Sequence, residues 1–301
     1  MWQRFLIALL ALLCHPLQGG AVDDKSAFTQ LQQGCHPLLH NASDQAEFDA
    51  FLLERNDRAQ INSMAMDNVV RKATPKIPKD YYLPRDHPAR PILARIFADP
   101  DVLASIQNLK AAGFIKPVER KRGMIVGIHP KLQGWLLKMY IDSYNTDEVY
   151  QLAKRIDGAR LVERSLDKFR YNDIMKVPKK WLYKVPNAKN LKANHRKSVV
   201  LVAENMDIFS DPETWKHYRT IVQPFHLDAL YNVLTDCKLS DSTWILNIPF
   251  ARDGKIAFVD TEFAGRSLLI WDRLPNLGKY LCEDMRRYWF ELIDKGGPNM
   301  P

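Results

Sequence analysis

The spacing of apolar residues changes character near residue 114. Before it, apolar positions recur at helical intervals. In the stretch 44–70, Phe48, Phe51 and Leu52 stand three and four apart and predict one or two amphipathic helices. Residues 99–114 (DPDVLASIQNLKAAGF) predict another, capped by Asp99 or Asp101 and stopped by Gly113. Between these helices Pro75, Pro78, Pro84, Pro88 and Pro91 punctuate a segment that reads as an extended linker or wrapping arm. After residue 114 the period shortens. Apolar runs at 124–128 and 135–141 flank a Pro-Gly turn and predict two strands. Residues 146–169 predict a helix with Thr146 as its cap, and 199–206 (VVLVAENM) an apolar strand that ends on a glutamate. Residues 211–236 read as helical with a break at Pro224. Ile248 to Ala251 and Lys255 to Val259 are strand-like, joined by Arg252-Asp253-Gly254, a strong hairpin signal. A last amphipathic helix, about 275–293, runs through Leu277, Leu281, Met285 and Trp289.

Strands, helix, strand, helices, hairpin, helix is an α+β order: a small sheet with a mostly helical half behind it. The expected organisation is a signal peptide (1–21), a helical extension with a proline-rich linker (22–113), a sheet-containing part (114–206), and a mostly helical part that carries the hairpin (207–301).

Composition adds location and partners. Met1 to Arg4 is short and cationic, Phe5 to Leu13 is unbroken apolar, and Gly19-Gly20-Ala21 supplies a small-residue exit. This predicts a secretory signal peptide cut after Ala21, and a secreted or extracytoplasmic protein of a periplasm or a secretory lumen. The apolar run is far short of the ~20 residues a bilayer span needs, so no transmembrane segment is expected after cleavage. The cut removes Cys14 and leaves Cys35, Cys237 and Cys282, enough for one disulfide at most. Asn41-Ala42-Ser43 is a glycosylation sequon. The whole chain carries a formal charge of +8, which favours acidic partners or phosphates. Residues 174–203 hold eight Lys or Arg and no acid, interleaved with Trp181 and Tyr183. Aromatics of that kind are expected to pack inward, which argues against specific nucleic-acid binding.

The chemistry concentrates at 247–263 (NIPFARDGKIAFVDTEF). A hairpin returns its ends to within about 5 Å of each other. Asn247 and Asp260 sit at those ends, and an amide oxygen beside a carboxylate can share a hard cation. Both residue types are also ordinary at strand ends. No zinc-protease helix, nucleophile elbow, P-loop or Rossmann fingerprint is present.

This stretch resembles the protein kinase-like superfamily, in which an Asn closes the catalytic loop, a hairpin follows and a metal-binding Asp comes next. The resemblance covers about 114–293 and implies a two-lobed fold, with ATP and Mg2+ or Mn2+ as cofactors. It implies Asn247 and Asp260 as metal ligands and Lys138, in GWLLKMYI, as the strand lysine that holds phosphates. Glu163 on the following helix is the implied partner of Lys138, with Asp157 the alternative. The backbone around Glu204 and Met206, in LVAENM, would meet the adenine. Asp241 would orient or deprotonate an acceptor hydroxyl; its alternative is a turn or cap role in Ser240-Asp241-Ser242. Departures from the pattern are as plain. Asp-Thr-Glu (260–262) replaces Asp-Phe-Gly, and no His-Arg precedes Asp241, which stands six positions before Asn247. Gly123 with Arg120, Lys121 and Arg122 replaces a glycine-rich loop, and only 41 residues follow Asp260. The expected function is a secreted phosphotransferase with a nucleotide as one partner and an open acceptor, a protein first. The alternative is a catalytically inactive pseudokinase that acts as a protein-binding module.

Overall fold

A computed structural model of the chain describes residues 77–119, 123–143, 147–186, 197–265 and 270–298. The expected signal peptide, the sequon at Asn41, the helices expected in 44–70, the expected Thr146 cap and the Arg120-Lys121-Arg122 stretch lie outside the described residues. The fold is mixed α+β, built on an antiparallel sheet.

Chain order gives helices α1 (Arg90–Ile96) and α2 (Ile106–Ala111), strands β1 (Ile115–Glu119), β2 (Met124–Ile128) and β3 (Trp135–Tyr140), then the long helix α3 (Glu148–Phe169). Strands β4 (Met175–Lys176), β5 (Lys180–Lys184) and β6 (Val199–Glu204) follow. Helices α4 (Asp211–Thr220) and α5 (Pro224–Asp236), strand β7 (Ile256–Ala257), and helices α6 (Ile270–Arg273) and α7 (Glu283–Asp294) complete the described chain. The sheet runs β1-β2-β3-β6-β5, every neighbour antiparallel. The apolar strand β6 lies between β3 and β5, which explains why it is apolar at almost every position: both its faces are covered.

Strand alternation sorts side chains to two faces. On one, Tyr140, Leu182, Val199 and Leu201 meet Leu152 and Ile156 of α3. On the other, Leu137, Met139, Val200 and Val202 meet Leu93 and Phe97, from α1 and its C-cap, and Leu109 of α2. Residues 83–114 therefore cover the sheet's outer face, while Ile77, Tyr81 and Tyr82 pack on the α3 face. The boundary expected at residue 113 falls inside a packed layer, and the proline-rich arm contains a helix that starts with Pro91 in its first turn. Backbone bonds fasten it: Leu83 N–H donates to Leu182 O (2.9 Å) and Asp142 N–H to Leu103 O (2.9 Å).

Helix ends differ from expectation by small shifts. Ser105, not Asp99 or Asp101, caps α2 by accepting from Asn108 N–H, and Asp147 caps α3 by accepting from Tyr150 N–H. The break at Pro224 is real, with Pro224 opening α5. The expected last helix is two pieces, a 3-10 stretch Leu274–Tyr280 and α7. Leu281 and Cys282, both extended, divide them. Trp289 of α7 is fully buried and donates its indole N–H to Leu274 O at 2.8 Å. It closes a second core with Tyr218, Leu230, Phe250 and Phe258. Among the described residues no helix is long and apolar enough to cross a membrane.

If residues 77–114 are part of the fold, Leu93→Ala empties a site with no solvent exposure. The expected loss is about 2–5 kcal/mol, read by chemical denaturation. A segment merely draped on the sheet would lose almost nothing.

Candidate functional site

The hairpin at 247–260 exists as a ladder more than as two strands. Ala251 N–H donates to Lys255 O (2.8 Å), Ala257 N–H to Pro249 O (2.8 Å) and Val259 N–H to Asn247 O (3.0 Å). Ile256–Ala257 also pairs in parallel with β4, and Ala251 forms an antiparallel bridge with Ile208. The last rung leaves Asn247 and Asp260 at the open end, as the sequence predicts. Asn247 donates from Nδ2 to Asp241 O (2.8 Å), and Ser242 Oγ donates to Asp260 O (3.3 Å). Asp241, Asn247 and Asp260 are thus drawn together by backbone bonds.

Three elements then fix segment 259–262. Lys138 of β3 donates to Val259 O (3.0 Å). Lys180 of β5 donates to Thr261 Oγ1 (2.9 Å) and reaches Val259 O at 3.4 Å. Arg155 of α3 bridges two carboxylates, donating from Nη1 to Asp260 and from Nη2 to Glu262. Thr261 Oγ1 donates back to Arg155 O (2.8 Å). The segment crosses α3 at Gly158, where a Cβ would sit 1.8 Å from Thr261 O. Glycine is required at that crossing because backbone meets backbone.

The electrostatics follow from this crowding. Burial pushes the Asp260 carboxyl up, but Arg155, Lys138 and Lys180 together hold it well below the usual carboxylate range. Asp241 goes the other way. Burial, with Asp260 and Glu262 as like charges, pushes it up to about 8. Its Oδ1 is sealed from solvent with no hydrogen-bond partner, although the residue as a whole is half-buried. Burial, Lys138 and Arg155 push the Lys180 amine well below its ordinary value. Arg155 stays charged: burial opposes its charge, and Asp260 and Glu262 outweigh burial.

Of the residues expected from sequence, Lys138, Asp241, Asn247 and Asp260 come together. Glu163 does not. It lies eight residues, just over two turns of α3, beyond Arg155, about 12 Å further along the helix, and is exposed with no ion pair to a described residue. The face that α3 turns toward segment 259–262 is the one with Arg155 and Gly158. Asp157, the alternative, instead accepts from Tyr81 OH. Glu204 and Met206 lie where β6 leaves the sheet. Glu204 accepts from Lys179 N–H (2.8 Å), and Met206 O accepts from Lys176 Nζ (3.1 Å). The Met206 carbonyl is thus already engaged, and an adenine there would use other backbone groups. Arg155, Lys180 and Glu262 were not predicted as site residues. A faint signal existed for Lys180, whose alternation with Leu182 in KWLYK puts it on the inner face.

Among the described residues no three His, Cys, Asp or Glu side chains converge as a metal cage. Asn247, donating through Nδ2, keeps Oδ1 as an acceptor, and Arg155 engages one oxygen of Asp260. Those two oxygens suit a Mg2+ or Mn2+ ion that arrives with phosphates, since Mg2+ is commonly held by one or two side chains plus substrate oxygens. They do not suit a resident ion, because three cations already surround Asp260.

Two outcomes are expected. Gly158→Ala forces α3 and Thr261 apart and costs about 3 kcal/mol in denaturant titrations. Asp241→Asn stabilises the fold at pH 7.5 and does nothing at pH 4. The native Asp241 binds its proton up to about 8 whereas an unfolded Asp loses it near 3.9, so wild-type stability falls as pH rises through that window. Melting curves at the two pH values read the difference; a variant that melts no higher than wild type at pH 7.5 overturns the assignment.

No protein-family model matches the chain, and no curated protein matches it as a relative.

Proposed function

We propose that the chain is a secreted phosphotransferase of two-lobed, kinase-like architecture that uses ATP with Mg2+ or Mn2+. One observation carries the proposal: the Val259 peptide. Its carbonyl accepts from the strand lysine Lys138, and its N–H donates to Asn247, one residue before Asp260. The lysine expected to hold phosphates and the pair expected to hold metal thus come from distant parts of the sequence to one peptide. The chain path supports the same reading. Three antiparallel strands, a helix, and two more strands lead through Glu204 and Met206 into the helical half.

In this reading Lys138 holds phosphates, Asn247 and Asp260 hold the metal, and Asp241 faces the acceptor hydroxyl. The metal, when bound, supplies charge neutralisation on the transferred phosphoryl group. The protein supplies position: segment 259–262 is fixed by α3, β3 and β5 before any ligand arrives. Asp241 keeps its proton up to about 8, so near neutral pH it orients the hydroxyl more than it removes a proton. The acceptor is open, with a protein the first choice. A secreted enzyme of this type needs a lumen that holds ATP, or delivery into another cell.

A second reading, a pseudokinase that binds a protein partner, is favoured by Arg155. Its guanidinium occupies Asp260 where a metal would compete.

Thermal shift of the purified chain tests the proposal. Asp260→Ala is a poor control, because it strips a buried arginine of one partner and destabilises the fold by itself. Asn247→Ala is the better one. Wild type should be stabilised by ATP with Mg2+ or Mn2+ but by neither alone, by roughly 2.7 kcal/mol at about 100 times Kd. Asn247→Ala should lose that gain. Turnover that disappears in Asp241→Ala while the shift remains marks an enzyme. A shift without turnover in wild type marks the pseudokinase. No shift in any condition sinks the phosphotransferase and leaves the protein-binding module.

A further inference from the structure

We propose that Lys180 is a second anion-contacting lysine of this site, which pairs with Lys138 on the phosphoryl groups of the ligand. This rests on the nucleotide reading above and adds a residue that reading does not contain.

The sheet register places the pair. Lys138 stands opposite Leu201 and Lys180 opposite Ala203, on the two strands that flank β6. Residues opposite one another in an antiparallel pair share a face, and Leu201 and Ala203 are two apart. Both lysines therefore leave the sheet on the same side, and both amines reach Val259 O, at 3.0 and 3.4 Å.

Charge makes the placement meaningful. Lys180 is 4% exposed, and its two acceptors, a carbonyl and a threonine hydroxyl, are both neutral. The carboxylates of Asp260 and Glu262 are bridged by Arg155. The Asp260 carboxylate favours the Lys180 charge but is bonded by Arg155, so a buried amine hydrogen-bonded only to neutral acceptors, beside two other cations, is costly to keep as a structural element. It is what an anion site looks like before its anion arrives. Lysine ammoniums suit phosphate oxygens as compact point charges. Lys180 also lines a crevice of about 180 Å3 with Ile156, Pro178, Trp181 and Glu163, on the side of the residue away from Lys138, Asn247 and Asp260, which do not line it.

Tripolyphosphate, ATP and adenosine are the probes, each with Mg2+, measured by calorimetry or competition on the purified chain. Lys180→Met is expected to weaken tripolyphosphate and ATP by about tenfold or more, roughly 1.4 kcal/mol, and to leave adenosine unchanged. Lys180→Arg should restore most of the loss. A purely structural lysine would move all three ligands together, or none. If wild type binds ATP and Lys180→Met binds it equally well, the Lys180 assignment falls and the nucleotide reading stands. If wild type binds neither ATP nor tripolyphosphate, both fall. Should Lys180→Met not fold, the unaltered protein decides: acylation by N-hydroxysuccinimide acetate, mapped by mass spectrometry, should be blocked at Lys180 by ATP with Mg2+, and labelling that ATP leaves unchanged overturns the assignment.

Discussion

A buried guanidinium organises the centre of this molecule. Arg155 leaves α3 and grips Asp260 and Glu262 on either side of Thr261. A buried arginine cannot shed its charge, so carboxylates must come to it. That need sets the course of segment 259–262 against the helix. The course in turn requires Gly158, because the Thr261 carbonyl passes where any Cβ would be. The hairpin that ends at Asp260 is anchored from below by Tyr218, whose hydroxyl donates to Ile248 O at 2.8 Å. Long helix and helical half are therefore joined through segment 259–262 and its hairpin.

The same cluster sets the electrostatic character of the site. Two carboxylates a short distance apart behave oppositely: Asp260, beside Arg155 and two lysines, is held charged, and Asp241, with a sealed oxygen and like charges nearby, is held neutral up to about 8. Paired acids pushed apart in this way are a signature of functional sites more often than of structural ion pairs. The cost is visible in the unpaired oxygen of Asp241, which a core built only for stability would avoid.

How much of this was legible in the sequence depends on range. Strands β2 and β3, the break at Pro224 and the hairpin turn follow from periodicity and local turn chemistry, which act over a few residues. The convergence of Asn247 and Asp260 was legible for the same reason, since a hairpin alone brings its ends together. Lys138 was legible only through a family likeness. Arg155 was not, because its partner Asp260 lies 105 residues away and nothing local to either one marks the pair. Glu163 was chosen as an acidic residue on the right helix. Rotation and rise along α3 decide which side chain meets segment 259–262, and a linear pattern leaves that choice open. Capping misses at Ser105 and Asp147 have a simpler origin: several capping residues crowd each helix start, and backbone angles choose among them.

Helix α3 meets segment 259–262 with a cation, Arg155, and not with a carboxylate. A helix that offers a carboxylate to a strand lysine can swing away and leave that lysine exposed, since either partner survives alone near water. A helix that offers a buried arginine to two carboxylates has no such freedom. Moving α3 would strand a guanidinium in the interior and two acids beside it, at a cost of several kcal/mol. Lys180 and Thr261 tighten the same joint from the sheet side at 2.9 Å. Whatever this site binds, its geometry is set during folding, and ligands meet an arrangement already formed. Selectivity then has to come from charge and shape at the open end of the hairpin, because a moving helix is not available to supply it.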